Sequence, residues 1–254
     1  MRVEMIKHHE ASFRKNPVDA HGKKHTMLKK AIEIPGEEGE MRYVDIKPPD
    51  ETYFYRVKYP KQQIVLHFTM GYLKGDIATL TKPNYHVSVP FELARDGLIY
   101  NLFPSFYWSY HLGRGTLGGN RYRSRASIGI ELSNIGQLTR DGEQMLTYYS
   151  KPSRKDIYCK MDQKKEYMKT SFKGWDYFAT FTDAQYKSLI VLLRYLTARY
   201  SIPRKFLPVS KRYKATKETA HFKGIVSHVN FRPTGKTDIG PAFDWDRLEK
   251  GVRA

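Results

Sequence analysis

The C-terminal part of the chain carries the densest group of residues that could do chemistry. His228 is followed by Lys236 and Asp238 on one loop that closes with Gly240-Pro241. Histidine and aspartate supply the nitrogen and oxygen donors that zinc accepts, and a lysine can neutralise a developing negative charge. Taken alone, His228 and Asp238 prove little, because an aspartate in such a loop can equally cap a turn on the surface.

Two other candidates lie on segments that read as buried strands. His67 ends the short apolar run 63–67, and open α/β sheets place their sites at the carboxyl ends of strands. In the run 127–132 apolar residues alternate, so that Gly129 and Glu131 share the other face. A carboxylate thus projects from a core strand beside a residue without a side chain, either into a cavity or towards water.

In chain order these pieces resemble the type 2 N-acetylmuramoyl-L-alanine amidase family, which includes phage lysis amidases, cell-wall recycling amidases and peptidoglycan recognition proteins. The resemblance covers roughly residues 60–250 in one collinear order. It rests on the segments Leu66-His67-Phe68-Thr69-Met70-Gly71, Tyr85-His86, Arg95-Asp96-Gly97, Ser127–Leu132, Phe181-Thr182-Asp183-Ala184-Gln185, His228 and Lys236-Thr237-Asp238-Ile239-Gly240-Pro241. Ile239 replaces the family's usual proline, and Asn230 stands where the family often has Asp. Both positions flank expected ligands without being ligands.

The resemblance implies a zinc site with three protein ligands, His67, His228 and Asp238, and a fourth position open to water. Zinc lowers the pKa of such a water towards about 7. Glu131 is then expected to accept the water proton and to protonate the leaving nitrogen. Lys236 is expected to neutralise the oxyanion of the tetrahedral intermediate.

Three further residues have weaker assignments. Tyr85 matches a tyrosine that helps to stabilise the transition state in the phage members of the family. Trp108 and His111, in the run Trp-Ser-Tyr-His-Leu-Gly, are expected to contact substrate, although Trp108 could equally be a core residue. Glu131 could instead be a strand carboxylate paired with Arg125.

The function that follows is zinc-dependent hydrolysis of the amide between N-acetylmuramic acid and L-alanine in peptidoglycan, in a phage lysis enzyme. The alternatives are a cytoplasmic muropeptide-recycling amidase and a non-catalytic peptidoglycan-binding module. The net charge of +18, from 44 Lys+Arg against 26 Asp+Glu, favours a polyanionic partner. The basic residues are dispersed and no groove-reading motif is present, so we expect anionic wall polymers and not nucleic acid.

We expect an α/β fold with a single mixed β-sheet flanked by helices on both faces. Residues 1–58 read as an N-terminal extension with a short hairpin, and 59–254 as the zinc amidase domain with an insertion at about 139–180. Residues 182–200 combine a capping box with helical apolar spacing, which predicts a helix.

We see no signal peptide and no stretch long enough to span a membrane, and Cys159 is the single cysteine. We therefore expect a monomer made in the cytoplasm, which would reach the wall after release if it is a phage enzyme.

Overall fold

A seven-stranded mixed sheet forms the centre of the computed structural model, which describes all 254 residues. The strands lie in the order β1-β2-β5-β4-β6-β3-β12, and β4, β6, β3 and β12 run parallel to one another. Their bounds are β1 Thr26–Glu33, β2 Glu40–Lys47, β3 Gln63–Phe68, β4 Phe91–Leu93, β5 Ile99–Asn101, β6 Ser127–Leu132 and β12 Gly224–Ser227. The expected mixed sheet is confirmed.

Helices cover both faces of this sheet, as expected. The helices are α1 Arg2–Lys15, α2 Leu73–Leu80, α3 Asn120–Ala126, α4 Asp183–Tyr200, α5 Lys217–His221 and α6 Trp245–Arg253. Side chains alternate along a strand, so Leu66 and Ile130 pack in one core with the leucines of α4 and the apolar face of α6. Val65 and His67 therefore point to the opposite face, where Val65 packs with Leu112.

The predicted helix after residue 182 is present and begins with the predicted capping box. The Gln185 N–H donates to Thr182 Oγ1 at 3.1 Å, and the Thr182 N–H donates to Gln185 Oε1 at 3.1 Å. The helix ends at Tyr200, because Ser201 adopts the left-handed conformation with φ 53°.

Asp96-Gly97 is a strong hairpin signal, and the residues from Tyr85 through Pro90 to Leu93 before it predict the first strand, with a bulge or an edge at Pro90. The hairpin is present, but its first strand is shorter than the sequence predicts. The apolar run 85–93 forms a strand only at Phe91–Leu93. His86 has a φ of 52°, which an extended strand does not accommodate, and Pro90 lacks a backbone donor. The segment before β4 is therefore a loop, and it runs beside the site described below.

Residues 1–58 contribute α1 and an antiparallel hairpin of two eight-residue strands, β1 and β2. Strand β2 pairs in parallel with β5, which places the hairpin at the edge of the central sheet. Phe13 of α1 is fully buried against Tyr100 of β5. The segment therefore shares a sheet and a core with the rest of the chain.

The region 139–180 falls within a second sheet, which is antiparallel and five-stranded in the order β10-β11-β7-β8-β9. Its strands are β7 Gln137–Asp141, β8 Gln144–Thr147, β9 Ile157–Lys160, β10 Tyr167–Phe172 and β11 Trp175–Ala179. Ile6 of α1 packs into the core of this sheet. None of the six helices combines the length and the apolar character that a membrane crossing requires.

A buried carboxylate joins α1 to the hairpin of β4 and β5. Glu10 is 1% exposed, and its two oxygens accept from the backbone N–H groups of Arg95 at 2.8 Å and Asp96 at 3.0 Å. We predict that Glu10→Ala lowers the free energy of unfolding by about 1–3 kcal/mol, because two backbone N–H groups lose the buried carboxylate that accepts from them. Urea unfolding measures this, with the exposed Glu4→Ala on the same helix as control. Equal stability of the two variants would contradict the proposed anchoring.

Candidate functional site

Three buried side chains bring their donor atoms together at one end of the central sheet. His67 Nδ1 lies 3.0 Å from His228 Nδ1 and 3.2 Å from Asp238 Oδ2, and His228 Nδ1 lies 2.8 Å from the same oxygen. All three residues are at most 5% exposed. The structure thus brings together the three ligands that the resemblance implied.

The parallel strands explain how residues so distant in sequence meet. Strand β12 pairs with β3 in a register that sets Ser227 opposite Leu66. His228, the first residue after β12, therefore lies level with His67, which is still within β3. Asp238 is fixed by the backbone, because the Val229 N–H donates to the Asp238 carbonyl at 2.9 Å.

The chemistry and spacing of this donor set fit zinc. A tetrahedral zinc takes nitrogen and oxygen donors at about 2.0–2.1 Å, which places neighbouring donors roughly 3.3 Å apart. The three atoms lie 2.8–3.2 Å from one another, slightly closer than that. Three protein donors also leave one tetrahedral position for water or substrate.

The charge states suit a divalent cation as well. Burial lowers the pKa of His67 to about 4, so its imidazole is neutral near pH 7. Burial alone would raise the pKa of Asp238, but its two histidine neighbours, His228 and His67, hold that pKa well below its usual range. The set therefore offers two imidazoles and one carboxylate.

The far nitrogens of both histidines are held by hydrogen bonds that turn the near nitrogens inward. His228 Nε2 lies 2.9 Å from the Leu112 carbonyl, which is an acceptor only, so this nitrogen carries a proton and donates it, and Nδ1 is the ring nitrogen directed at the other donors. His67 Nε2 lies 3.0 Å from His111 Nδ1, and His111 Nε2 lies 2.9 Å from Ser127 Oγ. The Ser127 hydroxyl donates to the Arg123 carbonyl at 2.6 Å.

This series of hydrogen bonds determines which ring nitrogen carries the proton in His111 and in His67. Ser127 Oγ uses its proton on the Arg123 carbonyl, so it accepts from His111 Nε2–H. The neutral His111 then accepts at Nδ1 from His67 Nε2–H, because burial holds the pKa of His111 well below its usual value. His67 Nδ1 is left with a free lone pair directed at the other donors. His111 thus contacts His67 and lines the cavity, where the sequence had suggested a substrate contact.

Glu131 lies beside this centre on β6, directly opposite His67 in the strand register. It is the one residue of β6 that is not fully buried, and its Oε2 has no hydrogen-bond partner in the protein. Burial, and next the charge of Asp238, raise the pKa of Glu131 well above its usual value. Arg125 does not pair with it but lies 4.6 Å above the Trp108 ring. The Glu131 carboxylate therefore projects into a cavity, one of the two environments that the sequence predicted for it.

Gly129, two residues earlier on the same face, makes room for His111. A Cβ at Gly129 would lie 2.5 Å from Val89 Cγ1 and 3.0 Å from His111 Nδ1. A larger residue would push His111 away from His67. The absence of a side chain here is therefore a packing requirement of the site.

A cavity of about 370 Å³ opens over the three donors, with Glu131 and Lys236 among its walls. Lys236 is half-buried on the loop that carries Asp238. Lys173, from the turn between β10 and β11, lies on the same wall and donates from Nζ to the Lys236 carbonyl at 2.8 Å. The site therefore carries two ammonium groups where the sequence indicated one.

Tyr85 and Trp108 do not line this cavity. Tyr85 is 50% exposed and lies under the ammonium group of Lys82. Trp108 is 3% exposed and stacks on Tyr55 with ring centroids 4.3 Å apart. The structure thus places Trp108 in the core, which the sequence had left as an equal alternative.

Several wall residues escaped the sequence analysis, among them Thr69, Gln137, Lys173 and Trp175. Thr69 could have been found, because it follows His67 by two positions. The other three belong to the second sheet, which no motif covered, and nothing in their spacing signals that this sheet folds over the site.

Comparison with known proteins gives a family. Residues 58–241 match the model of the family described as N-acetylmuramoyl-L-alanine amidase, Amidase_2. The N-acetylmuramoyl-L-alanine amidase AmiD of Escherichia coli is 27% identical over 203 residues, which are 77% of this chain and 55% of that protein. The chain therefore spans about half the length of this relative.

Solved structures of similar proteins include AmiD from E. coli in complex with the substrate anhydro-N-acetylmuramic acid-L-Ala-D-gamma-Glu-L-Lys. It is 23% identical, with a TM-score of 0.49, over 87% of this chain and 65% of that chain. A selenomethionine derivative of AmpD is 23% identical, with a TM-score of 0.47, over 80% of this chain and 92% of that chain. The family match spans well over half of the chain, and on that match the chain belongs to the Amidase_2 family of N-acetylmuramoyl-L-alanine amidases.

Proposed function

We propose that this chain is a zinc-dependent amidase that hydrolyses the bond between the lactyl carbonyl of N-acetylmuramic acid and the nitrogen of L-alanine. The observation that carries the proposal is the convergence of His67, His228 and Asp238 within one cavity that also contains Glu131. Family membership supplies the reaction class. The similarity to AmiD supports a muropeptide or peptidoglycan as the substrate.

Zinc held by the three ligands would supply a Lewis acid that polarises the scissile carbonyl and acidifies a water. The protein side of the reaction falls first to Glu131. Its unpartnered Oε2 and raised pKa suit a group that takes a proton from the attacking water and returns it to the leaving nitrogen. Because it stands opposite His67 on the neighbouring strand, it lies beside the donors without joining them.

The two lysines of the cavity wall have different roles in stabilising the negative charge that develops on the substrate. As the water adds to the carbonyl, its oxygen becomes an oxyanion, and a fixed ammonium group stabilises that state more than the neutral substrate. Lys236 takes this role in the proposal. Lys173 binds the Lys236 carbonyl and so steadies the loop between Lys236 and Asp238.

The presence of all three donors together with Glu131 argues against a module that only binds peptidoglycan. Such a module needs neither a metal site nor a group that transfers protons. The charge of +18 is assigned to attraction towards anionic wall polymers. A role in phage lysis remains our prediction for the biological context, and recycling of released muropeptides is its rival.

Product analysis on two substrates tests the proposal. The zinc-loaded protein is incubated with a soluble muropeptide and, separately, with intact sacculi, and the products are identified by mass spectrometry. We expect a peptide with a free L-alanine amino terminus and a sugar that keeps its lactyl carboxylate. Cleavage at any other bond, or none, would remove the amidase assignment. Faster cleavage of sacculi would support lysis, and a preference for the soluble muropeptide would support recycling.

Glu131→Gln should keep zinc and lose turnover. The amide has nearly the same shape but cannot accept the proton, and such groups contribute about 10²–10⁴-fold to rates. Zinc content by elemental analysis and turnover on the soluble muropeptide are measured together. Loss of zinc would instead make Glu131 a ligand or a support of the fold, and full activity would exclude it from proton transfer.

His111→Ala should weaken zinc binding by about 10–100-fold, the usual effect of losing a partner that orients a ligand. The variant removes the acceptor that fixes His67 Nε2–H. Competition with a chelator gives the zinc dissociation constant. His86→Ala is the matched control, since His86 stacks on Tyr55 outside the cavity. Equal affinity of the two variants would show that His111 does not position His67.

A further inference from the structure

One row of side chains crosses the central sheet at the level of the site. Glu131 of β6 stands opposite His67 of β3, and on its other side it stands opposite Glu92 of β4. Glu92 in turn stands opposite Tyr100 of β5. Residues directly opposite each other in paired strands project from the same face of the sheet. Glu92 is therefore the lateral neighbour of the residue to which we assign proton transfer, one strand further from His67.

Glu92 is a buried acid that no donor group of the protein reaches. It is 0% exposed, and neither of its carboxyl oxygens accepts from an N–H or a hydroxyl group. The charged groups that face it are acids as well, namely Asp76 of α2, Glu131 of β6 and Glu10 of α1. A carboxylate without a donor or a cation beside it is unfavourable in a dry environment. Burial, and next the charge of Asp76, raise the pKa of Glu92 well above its usual value, so the residue keeps its proton near pH 7.

The proton of Glu92 has an acceptor within hydrogen-bonding reach, the carboxylate of Asp76. Two carboxyl groups form a hydrogen bond only if one of them is protonated. Asp76 is the member of the pair with further donors, because the Ser133 hydroxyl donates to its Oδ2 at 3.1 Å and Thr69 also bonds to it. Burial raises the pKa of Asp76 to about 6, although these hydrogen bonds and that of Glu92 lower it. The proton therefore belongs to Glu92, and Asp76 accepts it in a hydrogen bond.

Through these bonds Asp76 joins three strands of the central sheet at the end that carries the site. Thr69 directly follows β3, Ser133 directly follows β6, and Glu92 lies within β4. The carboxylate has no room to move away, because a Cβ at Gly71 would collide with Asp76 Oδ1. One side chain of α2 therefore fastens the two strands of the reaction centre to each other and to β4.

We propose that Glu92 is a positioning residue of the reaction, which keeps a proton and donates a hydrogen bond to Asp76 so that Glu131 stays in place beside the donor atoms. This inference rests on the proposed amidase function. Like charges directly opposite each other in a sheet are destabilising, so an ionised Glu92 would repel Glu131 as well as Asp76. A neutral Glu92 attracts Asp76 and places no charge beside Glu131. The acid pair therefore works with a single proton between its two carboxyl groups.

Kinetics of two variants with the same side-chain length test the positioning role. Glu92→Gln keeps a neutral donor for Asp76, whereas Glu92→Met keeps much of the bulk without the donor. On a soluble muropeptide we expect kcat of the zinc-loaded E92M protein to fall about 10-fold, with KM and zinc content unchanged. E92Q should restore most of kcat. Glu4→Met, at an exposed position of α1, is the matched control and should keep the kcat of the wild-type protein.

Infrared spectroscopy tests the proton itself, without reference to activity. A protonated carboxyl group has a C=O stretching band that a carboxylate lacks. Proteins with and without Glu92→Gln are compared at neutral pH, and both also carry Glu131→Gln so that this carboxyl group contributes no band. We expect the protein that retains Glu92 to show the band of a buried protonated carboxyl group, and E92Q to lose it.

Two kinetic results would overturn the proposal. A kcat of E92Q as low as that of E92M would show that the charge of Glu92 matters and not its donor. A wild-type kcat in E92M would remove the positioning role. If E92M does not fold, E92Q and the infrared spectrum still decide, since a low kcat in E92Q or no band from Glu92 would each overturn the proposal. If the wild-type protein cleaves no muropeptide, the amidase function fails and the positioning role with it, whereas the infrared band still reports the proton on Glu92.

Discussion

The parallel pairing of β3 with β6 on one side and with β12 on the other is the constraint on which the site depends. Its register sets Glu131 opposite His67, and it brings His228 to the same end of the sheet. If β6 or β12 shifted by one residue relative to β3, its functional side chain would turn to the opposite face of the sheet. The large apolar core against α4 and α6 holds the register, because Leu66 and Ile130 can face that core in one alignment only.

Burial then determines how the donors behave. In a dry environment the imidazoles of His67 and His111 stay neutral, and the two histidines beside Asp238 keep the pKa of its carboxyl group well below its usual range. Hydrogen bonds to the far nitrogens direct the near nitrogens inward, and Gly129 leaves the space in which His111 can reach His67. The fold thus directs two imidazole nitrogens and one carboxylate oxygen towards a common point.

The sequence predicted the parts of the fold that have strong local signals. The alternation of 127–132, the capping box at Thr182 and the turn at Asp96-Gly97 were enough to place β6, α4 and the β4–β5 hairpin. The strand expected over 85–93 was too long, because apolar content does not reveal a residue such as His86 with positive φ. The predicted ligand set came from the resemblance, since spacing alone left a metal site and a turn-capping aspartate as equal interpretations of His228 and Asp238.

What the sequence could not predict depends on tertiary contacts between distant segments. Lys173 reaches the site because the second sheet folds over it, and Arg2 pairs with Asp156 because α1 packs on that sheet. The strand 40–47 likewise joins the central sheet through β5 although its sequence resembles a polar extension.

X-ray absorption at the zinc edge of the metal-loaded protein tests the central claim most directly, because it reports the ligands without reference to activity. We expect a first shell of nitrogen and oxygen only, at about 2.0–2.1 Å, with the multiple scattering of two imidazoles. The imidazole signal should fall to one ring in His228→Ala. A sulfur neighbour at about 2.3 Å, which only Cys159 or a methionine could supply, or a spectrum without histidine, would contradict the assignment of His67, His228 and Asp238 as the zinc ligands.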